Sequence, residues 1–193
     1  IRAEVIEFYG LDASKKTILV TGGSLGAGTL NKAVMRCLKD IGQWQEVQVL
    51  WQCGSYYYEN LKKQLDGKLP ENVKLLAFLK RMDLAYAAAD IVVARAGAGT
   101  ISELCLLEKA AVLIPSPNVA EDHQTKNALA LVNKQAAIYV KDAEAENKLL
   151  PVALETIANA EKLSELSENI AHLALPDSAV VIAKEVIKLA QQS

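Results

Sequence analysis

The segment of residues 90–124 constrains the fold more than any other part of the sequence. An apolar run ends in Arg95 and a turn of small residues at 96–99, and helix-like composition follows. A second apolar run stops at two prolines and a polar loop, after which residues 121–124 begin another helix. The carboxyl ends of neighbouring parallel strands open onto one crevice, so these two loops should face the same ligand.

The same alternation of strand and helix extends over the whole chain. Apolar segments that predict strands occupy residues 17–21, 47–51, 73–78, 91–94, 111–114 and 137–140. Helical patterns follow at residues 29–39, 56–65, 84–89, 100–108, 124–133, 144–158, 161–174 and 178–191. This order predicts an α/β fold: a Rossmann-like, doubly wound parallel sheet of about six strands, with helices on both faces and a helical C-terminal tail.

Length and composition favour a single domain. The chain has 193 residues, of which 51% are hydrophobic, and a chain of this size buries one substantial core. We assign residues 15–193 to the Rossmann-like domain and residues 1–14 to a linker or docking segment. Because the sequence opens on IRAEVIEFYG without an initiator methionine, we expect it to begin inside a larger protein.

Charge and cysteine content argue against several functional classes. The net charge is -2 and the basic residues are dispersed, so no basic stripe predicts nucleic-acid binding. Cys37, Cys53 and Cys105 lie in or beside apolar segments without metal-ligand spacing, which predicts buried, reduced thiols. No segment has the roughly 18 consecutive apolar residues of a membrane-spanning helix.

A glycine-rich turn at residues 22–28 joins the first predicted strand to a helix. Glycine lets the backbone approach a ligand closely, and a helix N-terminus offers N–H groups to an anion. A phosphate site is predicted here, with an ordinary glycine-rich turn as the alternative. Ser24 and Leu25 break the GxGxxG spacing, and no acidic residue follows the second strand to hold an NAD ribose, so NAD is disfavoured.

Glu103 is the acidic candidate in this region. We predict that it lies in the first turn of its helix, where the helix dipole favours a carboxylate that can accept hydrogen bonds from a ribose diol. For Glu103 alone, an ordinary helix glutamate is the alternative, as a structural ion pair is for Arg95. The glycine-rich turns and the neighbouring His123 and Gln124 favour a shared ligand site.

Three segments resemble one known family in their order and spacing. They are GGSLGA at residues 22–27, ARAGAGTISEL at 94–104 and EDHQTKNA at 121–128, and they are similar to the C-terminal half of the MurG family of peptidoglycan glycosyltransferases. The resemblance implies half of a GT-B fold, in which two Rossmann-like domains flank a cleft. It also implies an inverting transfer of N-acetylglucosamine (GlcNAc) from UDP-GlcNAc to lipid I, which makes lipid II at the cytoplasmic side of the bacterial membrane.

The resemblance assigns the leaving-group contacts to two loops. Ser24, with the amides of Gly22, Gly23 and Gly26, would meet the diphosphate of UDP-GlcNAc. The backbone of Leu79 would pair with the uracil edge.

The remaining implied contacts come from the segments after residue 94 and from the N-terminus. Glu103 would hold the ribose hydroxyls, and Gln124, with His123 as a second candidate, would bind hydroxyls of GlcNAc. Arg2 resembles an arginine at the domain junction that would reach the nucleotide. The phosphates and sugar would contact the helix start, at Ala98, Gly99, Thr100, Ile101 and Ser102.

Some features of the family fall outside the match. Leu25 and Gly28 stand where many members have Gln and Arg, so side-chain contacts from those positions would be lost. The acceptor site, the catalytic base and the membrane-facing apolar patch are implied to lie in an N-terminal half that precedes this sequence. No cofactor and no metal are expected for donor binding, because the chain contains no DxD triplet.

Two other functions stay open at this point. One is another GT-B sugar-nucleotide transferase or a UDP-GlcNAc epimerase, either of which would share the nucleotide pocket. The other is a non-catalytic nucleotide-binding subunit that needs a second chain to form an enzyme.

Overall fold

The structure, a computed structural model, describes residues 2–191, with side chains from residue 5 to residue 191. The strands are β1 (Lys16–Thr21), β2 (Val47–Gln52), β3 (Val73–Leu76), β4 (Ile91–Ala94), β5 (Ala111–Leu113) and β6 (Ile138–Tyr139). The helices are α1 (Arg2–Tyr9), α2 (Gly28–Ile41), α3 (Ser55–Gln64), α4 (Met82–Ala88), α5 (Ala98–Leu106), α6 (His123–Val132), α7 (Asp142–Ala158), α8 (Ala160–Ala171) and α9 (Ser178–Gln191).

The six strands form one parallel sheet in the order β3-β2-β1-β4-β5-β6. The chain first builds outward from β1 to β3, and it then returns to add β4 on the other side of β1. The two halves therefore wind in opposite directions from the boundary between β1 and β4. The predicted doubly wound sheet is confirmed, and this boundary is where such folds place their ligand crevice.

Helices cover both faces of the sheet and divide the core into two layers. Ile18 and Val20 of β1 pack with residues of α2 and α7 on one face. Leu19, between them, packs with residues of α4, α5 and α6 on the other face. Because both faces are covered, β4 and β5 are buried along their whole length, which explains their continuous apolar sequence. β2 is also buried along its whole length, although it contains Gln48 and Gln52.

Two predicted strands are two residues shorter in the structure than in the sequence pattern. β3 ends at Leu76, its last residue paired with β2, where residues 73–78 were expected. β6 contains only Ile138 and Tyr139, which pair with two residues of the short β5. In both cases the neighbouring strand, rather than the apolar run, sets the length.

The N-terminal segment contains a helix that docks on α4. Val5 and Leu11 are buried with Leu84 and Ala88 of α4, and the Tyr9 hydroxyl donates to the backbone oxygen of Arg81 at 2.8 Å. This packing is compatible with a docking segment at residues 1–14, while its place between two domains stays a prediction.

The C-terminal helix α9 is the least covered helix of the described chain. None of its residues is buried, and Ile182, Val186 and Leu189 are among its exposed apolar side chains. Between Arg2 and Gln191, no helix is both long enough and apolar enough to cross a membrane.

Candidate nucleotide-binding site

A cavity of about 660 Å³ opens at the carboxyl ends of β1 and β4, where the sheet changes winding direction. Loops from four strands converge on it because all the strands of the sheet are parallel. Eight of the residues predicted for the site line this crevice: Gly22, Gly23, Ser24, Gly26, Leu79, Thr100, Glu103 and Gln124. The structure therefore brings together residues that lie up to about a hundred positions apart in the sequence.

The glycine-rich turn lies between β1 and the N-terminus of α2. Its shape depends on an interlock with the loop after β2: a Cβ on Gly26 would lie 2.0 Å from the backbone oxygen of Cys53, and one on Gly54 would lie 2.3 Å from the Cα of Gly26. Both glycines have positive φ, at 82° and 91°. Gly54 is thus a determinant of the predicted phosphate loop that the sequence motif did not identify.

The side chain of a buried glutamine also holds the glycine-rich turn in place. Gln52, the last residue of β2, donates through Nε2 to the backbone oxygen of Gly23 at 2.8 Å and to that of Ala77 at 3.2 Å. Its Oε1 accepts from the Thr21 hydroxyl at 2.8 Å. The sequence analysis uses this position only to disfavour NAD, although a polar residue at the carboxyl end of a strand indicates a site.

The N-terminus of α5 faces the crevice from β4. Gly97 is the N-cap residue and supplies no side-chain cap, and the first backbone bond of the helix runs from Ile101 N to Gly97 O at 2.9 Å. The N–H groups of Ala98, Gly99 and Thr100 precede that bond, and such groups have no partner inside their helix. The start of α2 is similar, since its N-cap Ala27 also supplies no side-chain cap.

The predicted position of Glu103 in the first turn of its helix is wrong. α5 begins at Ala98, two residues earlier than expected, so Glu103 lies in the second turn and no acidic residue lies in the first. The reason is that Ala98 and Gly99 take helical conformation, whereas the sequence pattern assigned them to the turn. The helix dipole acts mainly within the first turn, so it contributes less to Glu103 than expected.

A hydrogen bond to a neighbouring helix orients Glu103 instead. The hydroxyl of Tyr86, on α4, donates to Glu103 Oε2 at 2.8 Å, and both residues line the crevice. Tyr86 is buried. Burial and the adjacent carboxylate raise the pKa of Tyr86, so the phenol stays protonated as a donor. Tyr86 was missed because a single tyrosine in an alanine-rich helix is typical of a core residue.

The loop after β3 forms another wall. The Leu79 side chain is buried, which leaves the backbone of this residue as the part that a ligand would meet. Phe78 and Met82 also line the crevice, and the Phe78 side chain is exposed.

The loop between β5 and α6 closes the remaining side. Gln124 Oε1 accepts from the Ser116 backbone N–H at 2.9 Å, and no acceptor for its Nε2 group lies in the part of the chain that the structure describes. His123, the first residue of α6, is exposed and contacts the backbone oxygen of Ala120 through Nδ1 at 2.9 Å. The two residues before it, Glu121 and Asp122, both have left-handed backbone conformations.

The Arg95 side chain, which lines the crevice, is bound to neighbouring residues of the chain. Its Nη1 lies 2.5 Å from Asp142 Oδ1 and donates to the backbone oxygen of Ile114 at 3.1 Å. The other carboxylate oxygen of Asp142 accepts from the Thr29 hydroxyl at 3.1 Å. The geometry therefore supports the alternative prediction for Arg95, which is a structural ion pair. Through these contacts Asp142, at the start of α7, connects the start of α2 with the end of β4.

Several predicted site residues lie elsewhere. Ala98, Gly99 and His123 are exposed beside the crevice and are not among its lining residues. Ile101 and Ser102 line a different groove, which they share with Cys105 on the far side of α5. The side chain of Arg2 lies outside the described part of the structure.

None of the three cysteines is among the lining residues of the crevice. Cys53 and Cys105 are buried, Cys37 is half-buried, and all three are free thiols. Burial raises the pKa of the Cys53 thiol to about 11, so it is unreactive at neutral pH.

Comparison with known proteins identifies the family. The model of the glycosyltransferase family 28 C-terminal domain matches residues 17–182. A Bacteroides fragilis protein named UDP-N-acetylglucosamine--N-acetylmuramyl-(pentapeptide) pyrophosphoryl-undecaprenol N-acetylglucosamine transferase is 67% identical over 194 residues, covering 100% of this chain and 51% of that protein. A Phocaeicola vulgatus protein with the same name is 54% identical over 193 residues, covering 99% and 51%. The chain thus spans about half the length of the curated relatives it matches.

Solved structures share the fold. The crystal structure of Acinetobacter baumannii MurG is 31% identical, with a TM-score of 0.72 over 93% of this chain and 52% of the MurG chain. A UDP-N-acetylglucosamine 2-epimerase is 16% identical, with a TM-score of 0.62 over 98% of this chain and 46% of the epimerase, a likeness that shows the fold alone. The predicted half of a GT-B fold is confirmed, and the chain belongs to the glycosyltransferase family 28 C-terminal domain family.

Proposed function

We propose that this chain binds UDP-GlcNAc as the donor half of an inverting glycosyltransferase. The enzyme transfers GlcNAc to lipid I, an N-acetylmuramyl-(pentapeptide) pyrophosphoryl-undecaprenol, and makes lipid II for peptidoglycan. The names of the Bacteroides fragilis and Phocaeicola vulgatus relatives support this reaction. The observation that carries the proposal is the convergence of two helix N-termini without side-chain caps and one carboxylate, that of Glu103, on a single crevice.

The diphosphate would lie between the N-termini of α2 and α5. During transfer the acceptor hydroxyl attacks the anomeric carbon of GlcNAc while the bond to UDP breaks, so negative charge grows on the leaving diphosphate. Helix N-terminal amides directed at that charge stabilise it, and they supply this stabilisation without a metal ion. Ser24, exposed on the glycine-rich turn, would add a hydroxyl donor.

The nucleoside and the sugar would bind along the walls of the crevice. Glu103 would accept hydrogen bonds from the ribose hydroxyls, and the backbone of Leu79 would pair with uracil. Gln124 would donate to a GlcNAc hydroxyl through Nε2, which has no acceptor among the described residues, since its Oε1 already accepts from Ser116.

The acceptor chemistry would lie in the other half of the enzyme. Lipid I, the catalytic base and the membrane contact would be served by the N-terminal half, which places the whole enzyme peripherally on the cytoplasmic face of the membrane. Positioning of acceptor and base accounts for about 7 to 11 kcal/mol of a reaction barrier, so this chain alone would bind donor without transferring sugar.

A UDP-GlcNAc epimerase is the other function that the fold accommodates. Identity of 67% with a relative named as a transferase favours transfer. The deciding experiment incubates the chain with UDP-GlcNAc and a lipid I analogue, alone and with the separately expressed N-terminal half of a relative. We expect lipid II only from the combined halves, and conversion of UDP-GlcNAc into an epimer without acceptor would instead establish the epimerase.

A further inference from the structure

The carboxylate of Glu103 is held at one oxygen only. Oε2 accepts the Tyr86 hydroxyl at 2.8 Å, whereas Oε1 has no hydrogen-bond partner from residues 5–191. Glu103 is exposed on α5, whereas Tyr86 is buried on α4. The bond therefore connects an exposed, flexible type of side chain to one that is held in place by packing. An exposed glutamate without such a bond exchanges among several rotamers.

The geometry makes Tyr86 a donor to Glu103 and to no other described group. Its ring lies in the core layer with Leu104 and Leu79, which fixes the direction of the hydroxyl. Both residues line the crevice, and with Oε2 bound to Tyr86, Oε1 is the carboxylate oxygen without a hydrogen-bond partner among residues 5–191. A carboxylate oxygen retains acceptor capacity after one hydrogen bond, so both oxygens can still meet a diol.

We propose that Tyr86 is a positioning residue, which holds the Glu103 carboxylate in the orientation that binds a ribose. Because of this orientation, the site prefers ribonucleoside diphosphates over 2′-deoxyribonucleoside diphosphates. The inference rests on the proposed function, because it requires Glu103 to bind the ribose hydroxyls. Preorganisation of this kind raises affinity by removing the cost of ordering the side chain when the ligand binds.

The test is a double-mutant cycle between Tyr86→Phe and Glu103→Gln, measured by calorimetry with UDP and with 2′-deoxy-UDP. Tyr86→Phe should weaken UDP binding by about three- to tenfold and reduce the preference for UDP over 2′-deoxy-UDP. In the Glu103→Gln background the same change should alter UDP affinity by less than about twofold, because the positioned charge is already gone.

Tyr9→Phe is the matched control. It removes a hydroxyl bond of the same length, 2.8 Å, which is made to the residue that precedes α4 and not to Glu103. It should leave the preference for UDP over 2′-deoxy-UDP unchanged. If Tyr9→Phe changes this preference as much as Tyr86→Phe does, loosening of α4 is sufficient to explain the effect, and the inference is overturned.

Other outcomes separate the inference from the function on which it rests. If Glu103→Gln lowers the preference for UDP and Tyr86→Phe does not, Tyr86 is not a positioning residue while the ribose role of Glu103 stands. If Tyr86→Phe weakens UDP and 2′-deoxy-UDP equally, its effect is structural and the inference fails. If Glu103→Gln changes neither affinity, both the inference and the ribose contact are wrong.

Discussion

Gln52 Nε2 and the backbone oxygen of Gly23 are 2.8 Å apart, and this bond ties the glycine-rich turn to the end of β2. The same Nε2 donates to Ala77 O at 3.2 Å in the loop after β3. One buried amide therefore joins the loop that we assign to the diphosphate with the loop that we assign to uracil. Gln52 sets the distance between two parts of the proposed nucleotide site.

Gln52→Leu should lower both stability and nucleotide affinity. The change leaves buried polar groups without partners and costs about 1 to 3 kcal/mol of unfolding free energy. UDP affinity should fall by about three- to tenfold, because the turn is no longer preorganised. Thermal or urea unfolding and calorimetric titration measure the two effects.

Gln48→Leu is the control for this prediction. Gln48 is also buried in β2, and its Nε2 donates to Asp12 O at 2.9 Å and Thr17 Oγ1 at 3.0 Å at the opposite end of the strand. It should cost similar stability and leave UDP affinity unchanged. Equal loss of affinity in both variants would show that Gln52 has no specific relation to the site.

Gly54→Ala should disrupt the glycine-rich turn. Its Cβ would lie 2.3 Å from the Leu25 backbone oxygen, and its φ of 91° is unfavourable for alanine. We expect a loss of more than about 2 kcal/mol of unfolding free energy, measured by urea unfolding. Gly67→Ala is the matched control, because Gly67 also has positive φ but a Cβ added there would have no atom within 4 Å. A loss as large at Gly67 as at Gly54 would refute the interlock.

The sequence best predicts those features of the structure that are determined by short, continuous segments. Apolar periodicity located the strands and most helices, and glycine-rich turns marked the crevice, because both signals are contained in short segments. The contacts of Tyr86 with Glu103 and of Gln52 with Gly23 connect residues from different elements. Their distances follow only once the strand order is known, so the sequence alone did not reveal them.

The misplaced start of α5 has a local physical origin. The sequence pattern predicts a turn at Ala98 and Gly99, because glycine disfavours helix interiors. At the first positions of a helix this penalty matters less, since their N–H groups have no partner inside the helix. The error moved Glu103 by about half a turn and overstated the contribution of the helix dipole to its carboxylate.

Asp142→Asn tests the anchor beneath the crevice. The carboxylate contacts Arg95 at 2.5 Å and Thr29 at 3.1 Å, with both charged side chains mostly covered. Loss of the charge should cost about 1 to 3 kcal/mol in urea unfolding. Glu146→Gln, in the exposed pair with Arg36 at 3.7 Å, should cost less than about 1 kcal/mol. Equal costs would show that the Arg95 pair is no more important than a surface pair.

Nucleotide binding should be independent of divalent metal. The proposal assigns charge neutralisation at the diphosphate to the N-termini of α2 and α5, and the sequence contains no DxD triplet. Calorimetry with UDP should give the same affinity in EDTA and in magnesium. Binding that is lost in EDTA and restored by magnesium would mean that helix N-termini do not suffice.

The most direct test of donor binding is a calorimetric titration of this chain and its Glu103→Gln variant with UDP-GlcNAc. We predict saturable binding at one site per chain. The variant should lose about 1.5 to 3 kcal/mol, which is about tenfold or more in affinity, because two charge-assisted hydrogen bonds to ribose are weakened while side-chain shape is kept. Absence of binding by the folded chain, or equal affinity in the folded variant, would contradict the proposed donor site.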